Sequence, residues 1–179
     1  MNNGIAINVV FSKDSLSSED IHILEQELSE NGITLNAQQR SLMVNASCDF
    51  FVPLIEIVVS DNFLVSIAAA AAWDALKYIT RFLYDRWHGK RIEKIYPNKT
   101  VEEDPNIQFV IGENHIKLPV NVDQKKFEYA TDKFFDYVST HTYDQATYIF
   151  YNEKDGSLIT KTEKQTLADE YKEQMDKSQ

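Results

Sequence analysis

The chain has 179 residues, 43% hydrophobic and 26% charged, with a net charge of −10 at neutral pH. That composition belongs to globular proteins and excludes disordered or fibrous classes. The single cysteine, Cys48, excludes an intrachain disulfide framework, and the net acidity argues against general binding to nucleic acid or anionic lipid.

The N-terminal stretch MNNGIAINVVFSKDS lacks the basic, apolar and small-residue succession of a secretory signal, so a cytoplasmic location is expected. Gly4–Phe11 reads as a strand by its β-branched content. A helix follows, with Ser17 and Asp20 as its N-terminal cap, a stripe of Ile21, Leu24 and Leu28, and Gly32 at the position of a left-handed C-cap. ITLN and SLMVNAS read as two further strands. FFVPLIEIVVS is a nearly continuous apolar run, as in a strand covered on both faces, and Pro53 puts its start at an edge or bulge.

An alanine-rich helix is expected over residues 63–88. Asp74, Lys77, Arg81, Asp85 and His88 line one face, and Leu76, Ile79, Leu83 and Trp87 the other. A bilayer span needs about 20 apolar residues. Phe63–Trp73 supplies eleven residues, all apolar but Ser66, before Asp74, so a buried helix is the better reading than a membrane segment.

Arg91–Tyr96 has the pattern of a short strand, and Pro97–Asn106, with two prolines and an acidic run, that of a loop. IQFVIGENHIKLPV reads as a hairpin around Gly112–Asn114. The next helix carries a stripe of Phe127, Ala130, Phe134 and Val138. A second hairpin turns at Asp155–Gly156, and Thr162 with Gln165 forms a capping box opening a last helix with Leu167, Ala168, Tyr171 and Met175 as its stripe.

The order βαβββα–loop–ββαββα defines an α+β protein. It suggests two small halves, each an antiparallel sheet with helices. Residues 1–96 form the first, with an order compatible with a ferredoxin-like arrangement, 97–106 the loop, and 107–179 the second, with packing as one domain also open.

Chemical motifs are sparse. The histidines His22, His88, His115 and His141 are scattered, and no HExxH, CxxC or oxygen-rich calcium loop is present, so no metal or cofactor is expected. No GxSxG elbow, Walker loop or GxGxxG occurs. Asp49 beside Cys48 disfavours a thiolate.

Charge is unevenly spread. Residues 1–60 carry eight acids against two bases and residues 101–179 sixteen against nine, whereas residues 61–100 hold seven bases against four acids. Within that basic middle, Arg81, Arg86, Trp87, Lys90, Arg91 and Lys94 form a strip suited to phosphates or an acidic partner, and the same residues suit a solvated helix end. Tyrosines, enriched at interfaces, cluster in the second half, and Tyr148 and Tyr151 fall on opposite faces of their strand.

These features favour a soluble interaction or self-association module, with a protein partner or a second copy, no membrane and no visible catalytic constellation. An accessory component of a bacterial defence or toxin–antidote system that touches nucleic acid through residues 81–99 is the alternative. A small hydrolase whose site is assembled from distant residues is the third reading.

Overall fold

The computed structural model describes residues 5–40, 53–59, 69–96, 99–141 and 145–178. Three helical crossovers organise it. Strand β1 (Ile5–Phe11) leads through helix α1 (Ser18–Glu30) to β2 (Ile33–Gln39), which pairs with β1 in parallel. Strand β3 (Ile55–Val59) leads through α2 (Ala69–Trp87) and the two-stranded ribbon β4 (Ile92–Tyr96) and β5 (Lys99–Glu103) to β6 (Ile107–Ile111), again parallel. Strand β7 (Asn114–Lys117) leads through α3 (Gln124–Thr140) to β8 (Thr147–Tyr151), the third parallel pair. Antiparallel joins β1/β3, β6/β7 and β8/β9 (Leu158–Thr162) knit these units together, and α4 (Glu163–Ser178) follows. The result is one seven-stranded mixed sheet in the order β2-β1-β3-β6-β7-β8-β9.

The α+β class therefore holds, but the expected pair of antiparallel sheets does not form. A helix between two strands returns the chain in its original direction, so its flanking strands pair in parallel. Because β3 bonds β6, strands from both sides of residues 97–106 share one sheet, and the ferredoxin-like arrangement of the first half is absent. Part of the expected loop is strand β5, whose Glu102 and Glu103 lie opposite Glu93 and Ile92. Pro53 marks neither an edge nor a bulge: β3 is interior, and the proline precedes its first residue by two. The expected strand SLMVNAS, Cys48 and the first residues of the alanine-rich helix lie outside the described residues.

Local signals set the helix ends. The Ser17 side chain accepts from the Asp20 amide at 3.1 Å, and the Asp20 carboxylate accepts from the Ser17 amide at 2.8 Å, closing a reciprocal capping box. Gly32 ends α1 at φ +71, where a β-carbon would be costly. Thr162 and Gln165 make the corresponding exchange ahead of α4, at 2.9 and 3.4 Å.

Period-two burial gives the sheet two unlike faces. Ile7, Val9, Ile55, Ile57, Ile107, Phe109, Ile116 and Ile149 point into one core with Leu24 and Leu28 of α1, Leu76, Ile79 and Leu83 of α2, and Phe127 and Phe134 of α3. Each such large side chain contributes roughly 1.5–3 kcal/mol by leaving water. The alternate residues, including Val10, Glu56, Gln108, His115, Tyr148 and Phe150, form the opposite face and are half-buried. Thus β3 has one face in the core and one partly open, rather than both covered. Helix α4 sits on this open face, with Thr166 buried and Asp169 paired to Lys161 of β9 at 2.7 Å. Its expected apolar stripe is not buried: Leu167 is 39% and Tyr171 66% exposed.

Among the described residues no helix is long and apolar enough to cross a membrane.

Candidate functional site: a polar groove on the open face of the sheet

The open face carries a groove of about 270 Å³. Its floor is a row of side chains that the strand register fixes. Glu56 on β3 lies opposite Gln108 on β6, and Gln108 opposite Lys117 on β7. One step along the same strands, His115 lies opposite Tyr148 on β8. Arg40, just past β2, closes one end, while Phe150 and Thr166 line the other side.

The Arg40 end is internally satisfied. Arg40 Nη2 meets Glu56 Oε2 at 3.1 Å, and Nη1 donates to the Pro53 carbonyl at 2.9 Å. Gln108 Nε2 donates to the other Glu56 oxygen at 3.1 Å. Both atoms of the Glu56 carboxylate are thereby engaged, as a partly buried charge requires.

The β7 end is different. The His115 ring stacks on Tyr148 with centroids 4.6 Å apart and planes at 14°, and its buried Nδ1 has no hydrogen-bond partner among the described residues. Burial holds the imidazole below its ordinary pKa, against the opposing pull of Glu56, Glu113 and Glu163. Lys117 is exposed and makes no ion pair or hydrogen bond among the described residues. With Arg40 balanced by Glu56, Lys117 leaves the groove one positive charge on a chain of net −10.

The groove lacks the relay that acid–base catalysis uses. No hydrogen bond joins Glu56 to His115 among the described residues, and the Thr166 hydroxyl donates to the Thr162 carbonyl at 3.1 Å instead of to a base. Among the described residues no three of His, Cys, Asp and Glu gather as a metal site.

The sequence-predicted strip lies elsewhere, at the C-terminal end of α2 and beyond. Arg81 is held by Glu128 of α3 at 2.6 Å and by Asp85 at 3.4 Å. Arg86 pairs with Asp20 of α1 at 3.1 Å, and Arg91 pairs with Asp104. Lys90 places its ammonium 5.3 Å from the centre of the Trp87 ring, and that ring packs on the core, its buried Nε1 without a hydrogen-bond partner among the described residues. The side chain of Lys94, on β4, lies outside those described. Asn121 ties this region down, accepting from the Gly89 amide at 2.9 Å and donating to the Lys90 carbonyl at 3.1 Å and to Asp104 at 2.6 Å. Tyr151 packs against the core, whereas Tyr148 is in the groove.

Among the described residues, Tyr148 is the one sequence-predicted site residue that lines the groove. Its other lining residues sit on or beside six elements, β2, β3, β6, β7, β8 and α4, and each reads alone as an ordinary strand, strand-end or helix position. The alternation in β6 and β7 could have placed Gln108, His115 and Lys117 on one face, but nothing in the sequence brings Arg40 and Glu56 beside them.

Comparison of the chain with protein-family models, with curated protein sequences and with solved structures gives no match.

Proposed function

We propose that this chain is a binding module and that the groove on the open face of the sheet is its ligand site. The observation carrying this reading is the convergence of Arg40, Glu56, Gln108, His115 and Lys117, from four strands or strand ends, on one concavity beside two aromatic rings. Pockets with a few convergent polar groups on an apolar frame are the usual form of a ligand site. Binding is favoured over hydrolysis because the groove's carboxylate is engaged and, among the described residues, no hydrogen bond orients Nδ1 of its imidazole. The test is a fragment screen on isotope-labelled full-length protein, read by amide chemical shifts. Fragments should perturb Gln108, His115, Lys117 and Tyr148 together. A screen whose hits all fall elsewhere removes the groove from consideration.

A specific observation also supports a macromolecular partner. Helix α4 leaves Leu167 and Tyr171 outward, and Ile159 of β9 is 39% exposed. Exposed large apolar side chains on neighbouring elements supply the anchors of an interaction surface. A strongly acidic chain opposes self-association, so the partner chemistry this favours is a basic protein with an apolar ridge. Tyr171→Ser with Leu167→Ser should abolish its capture without lowering the melting temperature; unchanged capture counts against this surface. The strip at residues 81–99 has less to offer a partner, since Arg81, Arg86 and Arg91 already hold acids.

A further inference from the structure

Among the described residues, neither the Lys117 ammonium nor the Nδ1 of the groove-lining His115, an atom that is itself buried, has an ion-pair or hydrogen-bond partner. Both belong to β7 and point to the same face, two residues and therefore roughly 6.5–7 Å apart along the strand. On one side of them the Arg40–Glu56–Gln108 set is closed by its own hydrogen bonds. On the other, His115 and Tyr148 present a stacked aromatic wall that Phe150 extends along β8. A ligand that completes this site brings an oxyanion to Lys117 and lays an apolar body along the wall.

Charge and size narrow the class. Among the described residues the groove has one uncompensated positive charge, which a single carboxylate neutralises. A dianion would carry a second negative charge towards Glu56. The volume of about 270 Å³ lies at the lower end of ligand pockets, so the body is small. Lys117 recognises charge as a point donor and does not demand the planar fork that arginine provides.

Resting on the reading of the groove as the ligand site, we propose that it binds a small organic monocarboxylate, with the carboxylate on Lys117 beside His115 and the apolar body against Tyr148 and Phe150.

The test is calorimetric titration of the full chain, with chemical-shift mapping in parallel. Benzoate is the probe, benzamide its uncharged isostere, acetate the same charge without the body, and inorganic phosphate the dianion. Benzoate should bind and shift His115, Lys117 and Tyr148, and each of the other three should bind more weakly. Lys117→Met should weaken benzoate by about tenfold or more, the loss expected for one charge-assisted contact, and Lys117→Arg should restore most of it. Lys117 is exposed and has no ion-pair or hydrogen-bond partner among the described residues, so both variants should keep the parent melting temperature. Equal binding of benzoate and benzamide, tighter binding of phosphate, or Lys117→Met without effect would each overturn the proposal. Fragments that occupy the groove while benzoate does not would overturn the carboxylate assignment alone. A groove that no fragment occupies would overturn the ligand-site reading with it.

Discussion

Asp20 joins two structural devices, and removing it should separate them. Its carboxylate accepts from the Ser17 amide and hydroxyl, both at 2.8 Å, and meets Arg86 of α2 at 3.1 Å. The first role caps α1; the second ties α1 to α2. Losing a capping side chain costs roughly 0.5–2 kcal/mol. The ion pair is one-sided, with the Asp20 side chain only 11% exposed and that of Arg86 43% exposed. Solvent screening at Arg86 keeps that pair near the exposed-pair range, about 0.5–1 kcal/mol. Asp20→Ala should therefore lose about 1–3 kcal/mol, or very roughly 3–10 °C in melting temperature for a chain of this size. Arg86→Ala should lose less, because it leaves the capping box intact. A double-mutant cycle by urea denaturation isolates the pair, with an expected coupling of about 0.5–1 kcal/mol. Zero coupling, or Arg86→Ala as costly as Asp20→Ala, would refute the division of labour. It would also return Arg86 to the set of cations free to meet a partner.

Two further outcomes follow from the core and from the groove. Phe109→Ala opens a cavity under α3, where Phe109 meets Phe135 edge-on at 6.2 Å; it should cost about 3–5 kcal/mol, and a denaturation midpoint close to the parent's would show that the site collapses. Stability should fall with acidification through His115, since the unfolded chain takes its proton at about pH 6.5 while burial holds the folded imidazole lower, with Glu56, Glu113 and Glu163 opposing that shift. The contribution is complete above that value and is lost as pH falls through the folded one. His115→Phe should narrow its melting-temperature gap to the parent between about pH 7.5 and 5.5, and a gap independent of pH would contradict the assignment.

What the sequence discloses here is local. The capping boxes at Ser17 and Thr162, the glycine turns, and the buried stripes of α2 and α3 are written in spacings of two to four residues, and the structure has them all. Sheet order is not written that way. The alternation of Ile55, Ile57 and Val59 says which side chains share a face, not that β6 lies alongside. Hairpin signals led to antiparallel halves because a turn announces its pairing, whereas a helical crossover does not. Val101 and Thr100 joined the ribbon although flanking prolines and acids mark the segment as a loop. In α4 the periodic stripe was real but faces outward, since that helix buries Thr166 on the sheet instead. The groove shared the fate of the sheet order: its residues meet only through non-local pairing.

That β3–β6 pairing also sets a timetable. Strand β6 is synthesised about 50 residues after β3, which at 5–20 residues per second is roughly 3 to 10 seconds of translation. Closing a loop of that length costs about 3.5 kcal/mol in chain entropy before the ladder returns anything. Until then β2, β1 and β3 can form only a three-stranded ribbon whose bare edge reads IEIVV, the kind of edge to which another nascent chain adds. The yield of folded protein should therefore depend on how crowded nascent chains are during that interval, and slower, cooler expression should help chiefly by keeping those open edges apart.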